Sequence, residues 1–544
     1  MKRFTLIPFI CLLFIAMSCQ ENVQTSTGRV WKPDYTSEFE VGTQIRPWTI
    51  VDEGMSYILD NMQSMIGVNN LYMVVVMHQE HRPFHAPEFP HNPVRDTFDA
   101  EDSRVSFFPE WERYGKIKPL LSDHAWINET DWLQLMIDSC RSRGLSVGAE
   151  VSHFPIPKQL VRENPDWQQK KIDGGAWSTS RFCPNNPDVR EFIIALYGDI
   201  AANYDVDYIQ TCQFLFNDMD IDDGGTCFCP HCIAEAKKTG FDMEAAIPIL
   251  KEDKNAQPER DKWIQFRINS TTEFYRLIAE TIEEENPDCH LRFNDVLGWG
   301  SREAFDFGMD MKAVAPYLGS LVNQDHQEQR GLENETFEVR KKWLVRNREL
   351  IGPDKHYVSG IAARMAASPE LIKEGIRVAL ESPASINGLV LKHYDGASFS
   401  LMRAFKQGMI DAGVEGLIPC LGKEVEEMVL ENYSPFEEEL VEEWGVETDG
   451  TGSATYVFDE PSDTYDIRIT YFDQIDGQAE VKLFIAGEEK AVFKLDEDSD
   501  CWRWRRFDNI SVKQGDEIKL VGRAHNNEKA KLDFIEFISQ KQRI

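Results

Sequence analysis

Between residues 41 and 420 the chain repeats one pattern eight times: a short apolar run, then an amphipathic stretch of helical period. The runs expected as strands are Gly42–Ile50, Leu71–Met77, Leu145–Val151, Val206–Phe216, His290–Asn294, Gly319–Asn323, His356–Ile361 and Gly388–His393. Helical patterns fall between them, as at Asp52–Gly67, Asp188–Asn203, Thr271–Asn286, Phe337–Leu350, Pro369–Glu381 and Ser398–Ala412. Strands that alternate with helices form a parallel sheet, because each connection must return along a face of the sheet. Eight such units close on themselves. The expected fold class is therefore α/β, a (β/α)8 TIM barrel over 41–420 followed by a small all-β, jelly-roll-like sandwich. The rival is an open doubly wound sheet, against which stands the lack of a Gly-rich dinucleotide loop after the first run.

The N-terminus reads as an export signal. Lys2 and Arg3 precede the apolar run Phe4–Ala16, which is too short for a membrane span and is broken by Pro8. The run ends in Ala16-Met17-Ser18-Cys19, which resembles a lipobox, although the usual Leu three residues before the Cys is missing. Residues 1–19 are expected to be a lipoprotein signal peptide, Cys19 the acylated residue, and 20–40 a polar tether. The implied location is the bacterial cell envelope. The formal charge of −34 repels phosphates and anionic lipid heads. It excludes nucleic acid as a partner and leaves the lipid anchor as the sole membrane contact.

In a parallel barrel the chemistry sits where strands end and βα loops begin. Polar residues gather there. The first run ends in Arg46 and Trp48, the second in Glu80, His81 and Arg82. The third offers Glu150 and His153, the fourth Gln210, Asn217 and Asp218, the fifth Asn294 and Asp295. The sixth offers Asp325, the seventh Arg364, and the eighth Lys392, His393 and Asp395. Polar groups ending otherwise apolar runs either satisfy one another or receive a ligand, since burying them unpaired is costly.

The sharpest motif is Cys227-Phe-Cys229-Pro-His-Cys232. Three thiolates this close can share a tetrahedral metal, with Cys183 as the fourth ligand. His231 or Cys212 could replace one ligand, and disulfides are the alternative in an oxidising compartment. A closed four-Cys site is structural, with no position left for water. Cys183-Pro-Asn-Asn-Pro-Asp-Val-Arg190 and the later Cys run resemble the zinc-binding segments of glycoside hydrolase family 42, the clan-A β-galactosidases. That resemblance implies that Asn217-Asp218 stands where the family has Asn-Glu, with Asp218 as the acid/base. The family's nucleophile ends strand 7, yet His356–Met365 holds no carboxylate. Related barrel families share the Cys cluster, and galactosidase specificity is not implied.

Glycoside hydrolysis needs two carboxyl groups flanking the bond. With strand 7 empty, Asp325, Asp295 and Glu150 are the candidates to partner Asp218. Arg46, Trp48, Glu80, His81, Arg82, His153, Asn217, Asn294, Arg364, Lys392, His393 and Asp395 are candidate substrate contacts. The cations among them are suited to a carboxylate or sulfate on a sugar.

Residues 421–449 are Glu-rich and are expected to form a helix-like connector. From Gly450 the period becomes two, as in Tyr465-Ile467-Ile469-Tyr471 and Val481-Leu483-Ile485, which predicts the sandwich. Its closing stretch resembles carbohydrate-binding modules of families 6 and 35, and Trp502 and Trp504 are candidate glycan contacts. The expected function is an exported glycoside hydrolase acting on a polysaccharide or its oligosaccharides, with structural zinc and no organic cofactor. The alternatives are a catalytically inactive glycan-binding lipoprotein and a polysaccharide lyase.

Overall fold

The computed structural model describes residues 39–77, 80–82, 90–91, 98–100, 102–152, 155–178, 181–211, 216, 225–295, 307–324, 328, 335–364, 367–438 and 443–539. Eight parallel strands close a barrel: β1 (Glu40–Ile45), β2 (Asn70–Val76), β3 (Ser146–Val151), β4 (Tyr208–Thr211), β5 (His290–Asp295), β6 (Ser320–Asn323), β7 (His356–Ala362) and β8 (Gly388–Lys392). Each pairs with its sequence neighbour, and β1 pairs with both β2 and β8 to complete the ring. The strands are buried along their length because both faces are covered, one by the lumen and one by helices. Gly148 has a packing reason. A Cβ there would lie 2.3 Å from the ring of Tyr208, which fills the lumen beside it.

The first segment differs from expectation. Its strand stops at Ile45, and Pro47 opens helix α1 (Pro47–Glu53), followed by α2 (Met55–Asn61). Proline fits the first turn of a helix, where its missing N–H costs nothing. The outer layer continues with α3 (Trp132–Arg141), α4 (Pro187–Asn203), α5 (Glu259–Glu285), α6 (Glu335–Ile351), α7 (Pro369–Leu380) and α8 (Phe399–Asp411). Capping is legible in the chain. The Asn186 side chain accepts from the amides of Asp188 and Val189, Ser368 from Leu371, and Ser398 from Leu401.

Inside the barrel, polarity is layered. At the N-terminal end, Arg292 donates to Glu40 at 2.9 Å, His356 Nε2 lies 2.6 Å from the other Glu40 oxygen, and Asn70 donates to Glu40 at 2.6 Å. Tyr72, Tyr208, Val322, Val358 and Val390 seal the level above. Burial alone would raise the Glu40 pKa, but the Arg292 and His356 partners outweigh it and hold it at about 2. Its folded pKa lies below the unfolded value, so its contribution is complete above about pH 4.5 and is lost as the pH falls toward 2. Urea titrations between pH 5 and pH 3 should show stability falling by about 2 kcal/mol from this group, with Glu40→Gln flattening that limb. An unchanged acid limb in the variant would remove Glu40 as its source.

The C-terminal unit is antiparallel. One sheet orders the strands Ser434–Glu438, Glu443–Thr448, Ala530–Ser539, Asp463–Asp473 and Cys501–Val512. The other orders Val429–Glu431, Thr451–Val457, Glu517–Arg523, Glu480–Ile485 and Glu488–Lys494. Ile467, Ile469, Leu483, Ile518, Leu520, Leu532 and Ile535 fill the core between them. The expected connector over 421–449 is instead part of this sandwich. It contributes strands on both sheets and buries Val425, Met428, Tyr433 and Val446. Burial of these apolar side chains overrides the weak helical preference of the glutamates around them.

The sandwich docks on the barrel's flank. Trp502 is buried in the barrel's own apolar cluster, and its ring stacks on Phe436 at 5.9 Å. Arg403 of α8 reaches Asp533 at 3.2 Å and Glu424 at 3.3 Å, with its guanidinium 4.2 Å from the Phe534 ring centre. Trp502 thus serves the interface between the units, and Trp504 lies at the same interface, its ring stacked on Tyr57 of α2 with centres 4.5 Å apart.

Candidate functional site

The C-terminal mouth of the barrel is polar and built by side-chain alternation. Along β1 the lumen-facing series Glu40, Gly42 and Gln44 leads to Arg46 just past the strand. Gln44 Oε1 lies 2.7 Å from His393 Nδ1 and 3.5 Å from Lys392 Nζ. On the other side of the lumen Gln210 donates from Nε2 to Glu150 Oε2 at 2.7 Å. Tyr72 lies under both groups, and Lys392 Nζ stands 4.8 Å from its ring centre. Burial first, and then the nearby Glu150 charge, push the Tyr72 hydroxyl well above its usual range, so it remains protonated. Glu150 and Lys392 are both buried, at 5% and 1% exposure, yet they end at the open face of the barrel.

The structure sorts the expected site residues. Arg46 and Asp395 are brought together: Arg46 Nη1 meets both Asp395 oxygens at 2.6 and 2.7 Å, and Thr49 adds a contact at 3.5 Å. They fasten β1 to the exit of β8. Trp48 lies in α1, not on β1, and is buried with the Arg46 guanidinium 6.0 Å from its ring. Asp295 points away from the lumen. It accepts from Asn347 of α6 at 3.0 Å, because its position in β5 is one out of phase with Arg292 and Asn294. This placement gives Asp295 a strand-to-helix tie in place of the catalytic contact expected of it. Asn294 keeps the inward phase and is buried, and Arg364 stands just past β7, half-buried. Glu80, His81 and Arg82 form a short strand paired with Phe98–Ala100. Cys19, His153, Asn217, Asp218 and Asp325 lie outside the described residues.

The cysteine motif folds into one cluster. Cys183, Cys227, Cys229 and Cys232 are buried, and their Sγ atoms all lie within 4.8 Å of one another. Cys183 and Cys232 are 3.4 Å apart, far beyond a disulfide bond, and all four thiols are free. His231 turns outward to Asp166 at 2.9 Å and is not part of the set. Backbone amides of Lys170, Asn185 and Cys232 each point at a sulfur at 3.4 Å, the pattern that steadies metal-bound thiolates. Four convergent, buried sulfurs with amide donors around them fit a tetrahedral metal. The site locks the excursion after β3 to that after β4, through Lys171 paired with Thr226 and a core of Phe228, Trp263 and Phe266.

No family model matches the chain. A stretch of 138 residues is 30% identical to "Probable alpha-glucuronidase A" of Aspergillus terreus (strain NIH 2624 / FGSC A1156), covering 22% of this chain and 16% of that protein. A stretch of 107 residues is 26% identical to "Alpha-glucuronidase" of Hypocrea jecorina, covering 18% and 13%. The chain thus spans less than a fifth of the length of these curated relatives. Among solved structures, the PgaB (BpsB) glycoside hydrolase domain from Bordetella bronchiseptica is similar, at 13% identity and TM-score 0.49, over 70% of this chain and 99% of that one. The likeness to glycoside hydrolase family 42 rests on its motif.

Sequence reading missed two contributors to this mouth and one residue behind it. Gln44 and Tyr72 sit inside apolar runs, and only the inward phase shared with Glu40 and Asn70 marks them. His91 lies in the connection between Arg82 and Phe98, where no local pattern singles it out. The structure seats it against Glu53 and Tyr394 behind the mouth.

Proposed function

We propose that the chain is an exported glycoside hydrolase acting on a uronate-bearing polysaccharide or its oligosaccharides. The observation that carries this reading is the joint presence of Glu150 and Lys392 in one polar barrel mouth. Glu150 is a carboxylate held in place by Gln210, as a proton-transfer group or nucleophile at a glycosidic bond must be. Lys392 and Arg364 place positive charge at the same opening of a strongly acidic protein, which suits an acidic sugar. The α-glucuronidase names of the two curated relatives agree with this substrate class. Asp218 is the proposed second carboxyl group, on the family 42 resemblance, with Asp325 next. Zinc is the proposed metal of the four-Cys cluster, which Cys183, Cys227, Cys229 and Cys232 would hold without an open position, so its role is structural. Export by the leader and acylation at Cys19 belong to the same proposal, as does an envelope location.

The test is release of new reducing ends by residues 20–544 across neutral, uronate and sulfated polysaccharides, with Glu150→Gln and Asp218→Asn alongside. Activity on the uronate polymers should fall by about 10²–10⁴ in each variant. Activity retained in Glu150→Gln would remove Glu150 from the chemistry. Unsaturated, ultraviolet-absorbing ends would mark a lyase, and binding without product would leave a glycan-binding protein.

A further inference from the structure

Behind the barrel mouth, buried groups are joined bond to bond, and the outermost belongs to the sandwich. Trp504, on the strand Cys501–Val512, lies flat on Tyr57 of α2, with ring centres 4.5 Å apart and planes 6° apart. Its Nε1 donates to Asn61 Oδ1 at 2.5 Å. Asn61 in turn donates from Nδ2 to the Tyr394 hydroxyl at 2.9 Å, and that hydroxyl donates to Glu53 Oε2 at 2.8 Å. The second Glu53 oxygen lies 3.0 Å from His91 Nδ1, and His91 Nε2 lies 3.0 Å from the Tyr394 carbonyl oxygen, which closes a ring around Tyr394. The same sandwich strand makes a second attachment, where the Trp502 amide donates to the Pro90 carbonyl at 2.9 Å. Tyr394 stands between His393, which meets Gln44, and Asp395, which meets Arg46. Lys392 is one residue further back.

We infer that Trp504 is a positioning residue of the barrel mouth: through Asn61 and Tyr394, the sandwich fixes the backbone that carries Lys392, His393 and Asp395. The second unit is thereby part of the barrel's working site and not a separable appendage. The geometry favours this over simple adhesion between units. Adhesion would need the Trp504–Tyr57 stack alone, whereas the indole N–H is spent on the one amide side chain that also holds Tyr394. The inference rests on reading the mouth as the carbohydrate site.

The experiment uses the full mature chain. Trp504→Phe keeps the aromatic stack and removes the N–H donor. Amide hydrogen exchange over residues 393–397 should rise about tenfold, as for loss of one net hydrogen bond, while β4 and β5 keep their protection. Tyr394→Phe, which cuts the same path at its other end, should give the same signature. With a substrate from the polysaccharide panel, KM should rise about tenfold with kcat within twofold, because binding groups shift while Glu150 does not. Exchange at 393–397 that stays unchanged in Trp504→Phe, with any rise confined to 55–61 and 501–512, overturns the inference whatever Tyr394→Phe does. A panel without any product overturns the hydrolase reading instead and leaves the exchange result to decide this one.

Discussion

Cys229→Ser is expected to strip the metal from the four-Cys cluster and destabilise the segments it joins, on the order of 5 kcal/mol. Cys229 is central to the site. Its sulfur lies 3.5 Å from that of Cys183, and it also accepts from the Cys232 amide and so caps the helix Pro230–Lys238. Folding around a metal makes binding energy into folding energy, since the unfolded chain offers no preformed set of thiolates. Elemental analysis of the purified wild-type protein should find zinc, and the variant should lack it. Chelator treatment of the wild type should reproduce the variant's thermal unfolding. Cys140 is also buried and free but lies in the barrel's apolar core, and Cys140→Ser should leave the metal in place. A wild-type protein without metal, whose cysteines are found by mass spectrometry in disulfide pairs, would overturn the metal reading.

Arg292→Met is expected to cost about 3–5 kcal/mol, because it leaves Glu40 charged in a closed lumen. Both side chains are fully buried, and the Arg292 guanidinium also lies 4.6 Å from the Tyr208 ring centre. His356 and Asn70 would remain as partners of Glu40 but cannot replace a guanidinium's fixed charge. The double variant Glu40→Gln/Arg292→Met carries no buried charge at this level and should regain a large part of that loss. Urea unfolding of the two single variants and the double variant measures the coupling. Additive losses would show that the pair is not coupled and that the lumen has another source of stability.

Much of this architecture is legible in the chain. Each of the eight runs overlaps one of the eight barrel strands, because a strand covered on both faces is rich in apolar residues even where its lumen side carries Glu40, Glu150 or Arg292. Helix starts at Asn186, Ser368 and Ser398 are readable because capping is a local bond between near neighbours. Cys183 could be joined to the later cysteine run since chelation restricts the residue types that serve. The remainder depends on contacts between distant segments. Whether Asp295 faces the lumen or α6 is a matter of strand phase, which shifts with a single residue. The pairing of Arg46 with Asp395 spans nearly the whole barrel sequence, and composition cannot distinguish it from two separate ligand contacts. The Glu-rich stretch 421–449 joins the sandwich because four apolar side chains within it find a core, a gain that appears only once both sheets are assembled. The sequence by itself determined a closed α/β barrel with a β appendage and a metal-competent cysteine set, through local periodicity and ligand chemistry. Tertiary structure alone decided which polar side chains share the mouth and that Trp504 of the sandwich supports it from behind, because those facts reside in register and docking rather than in any stretch of residues.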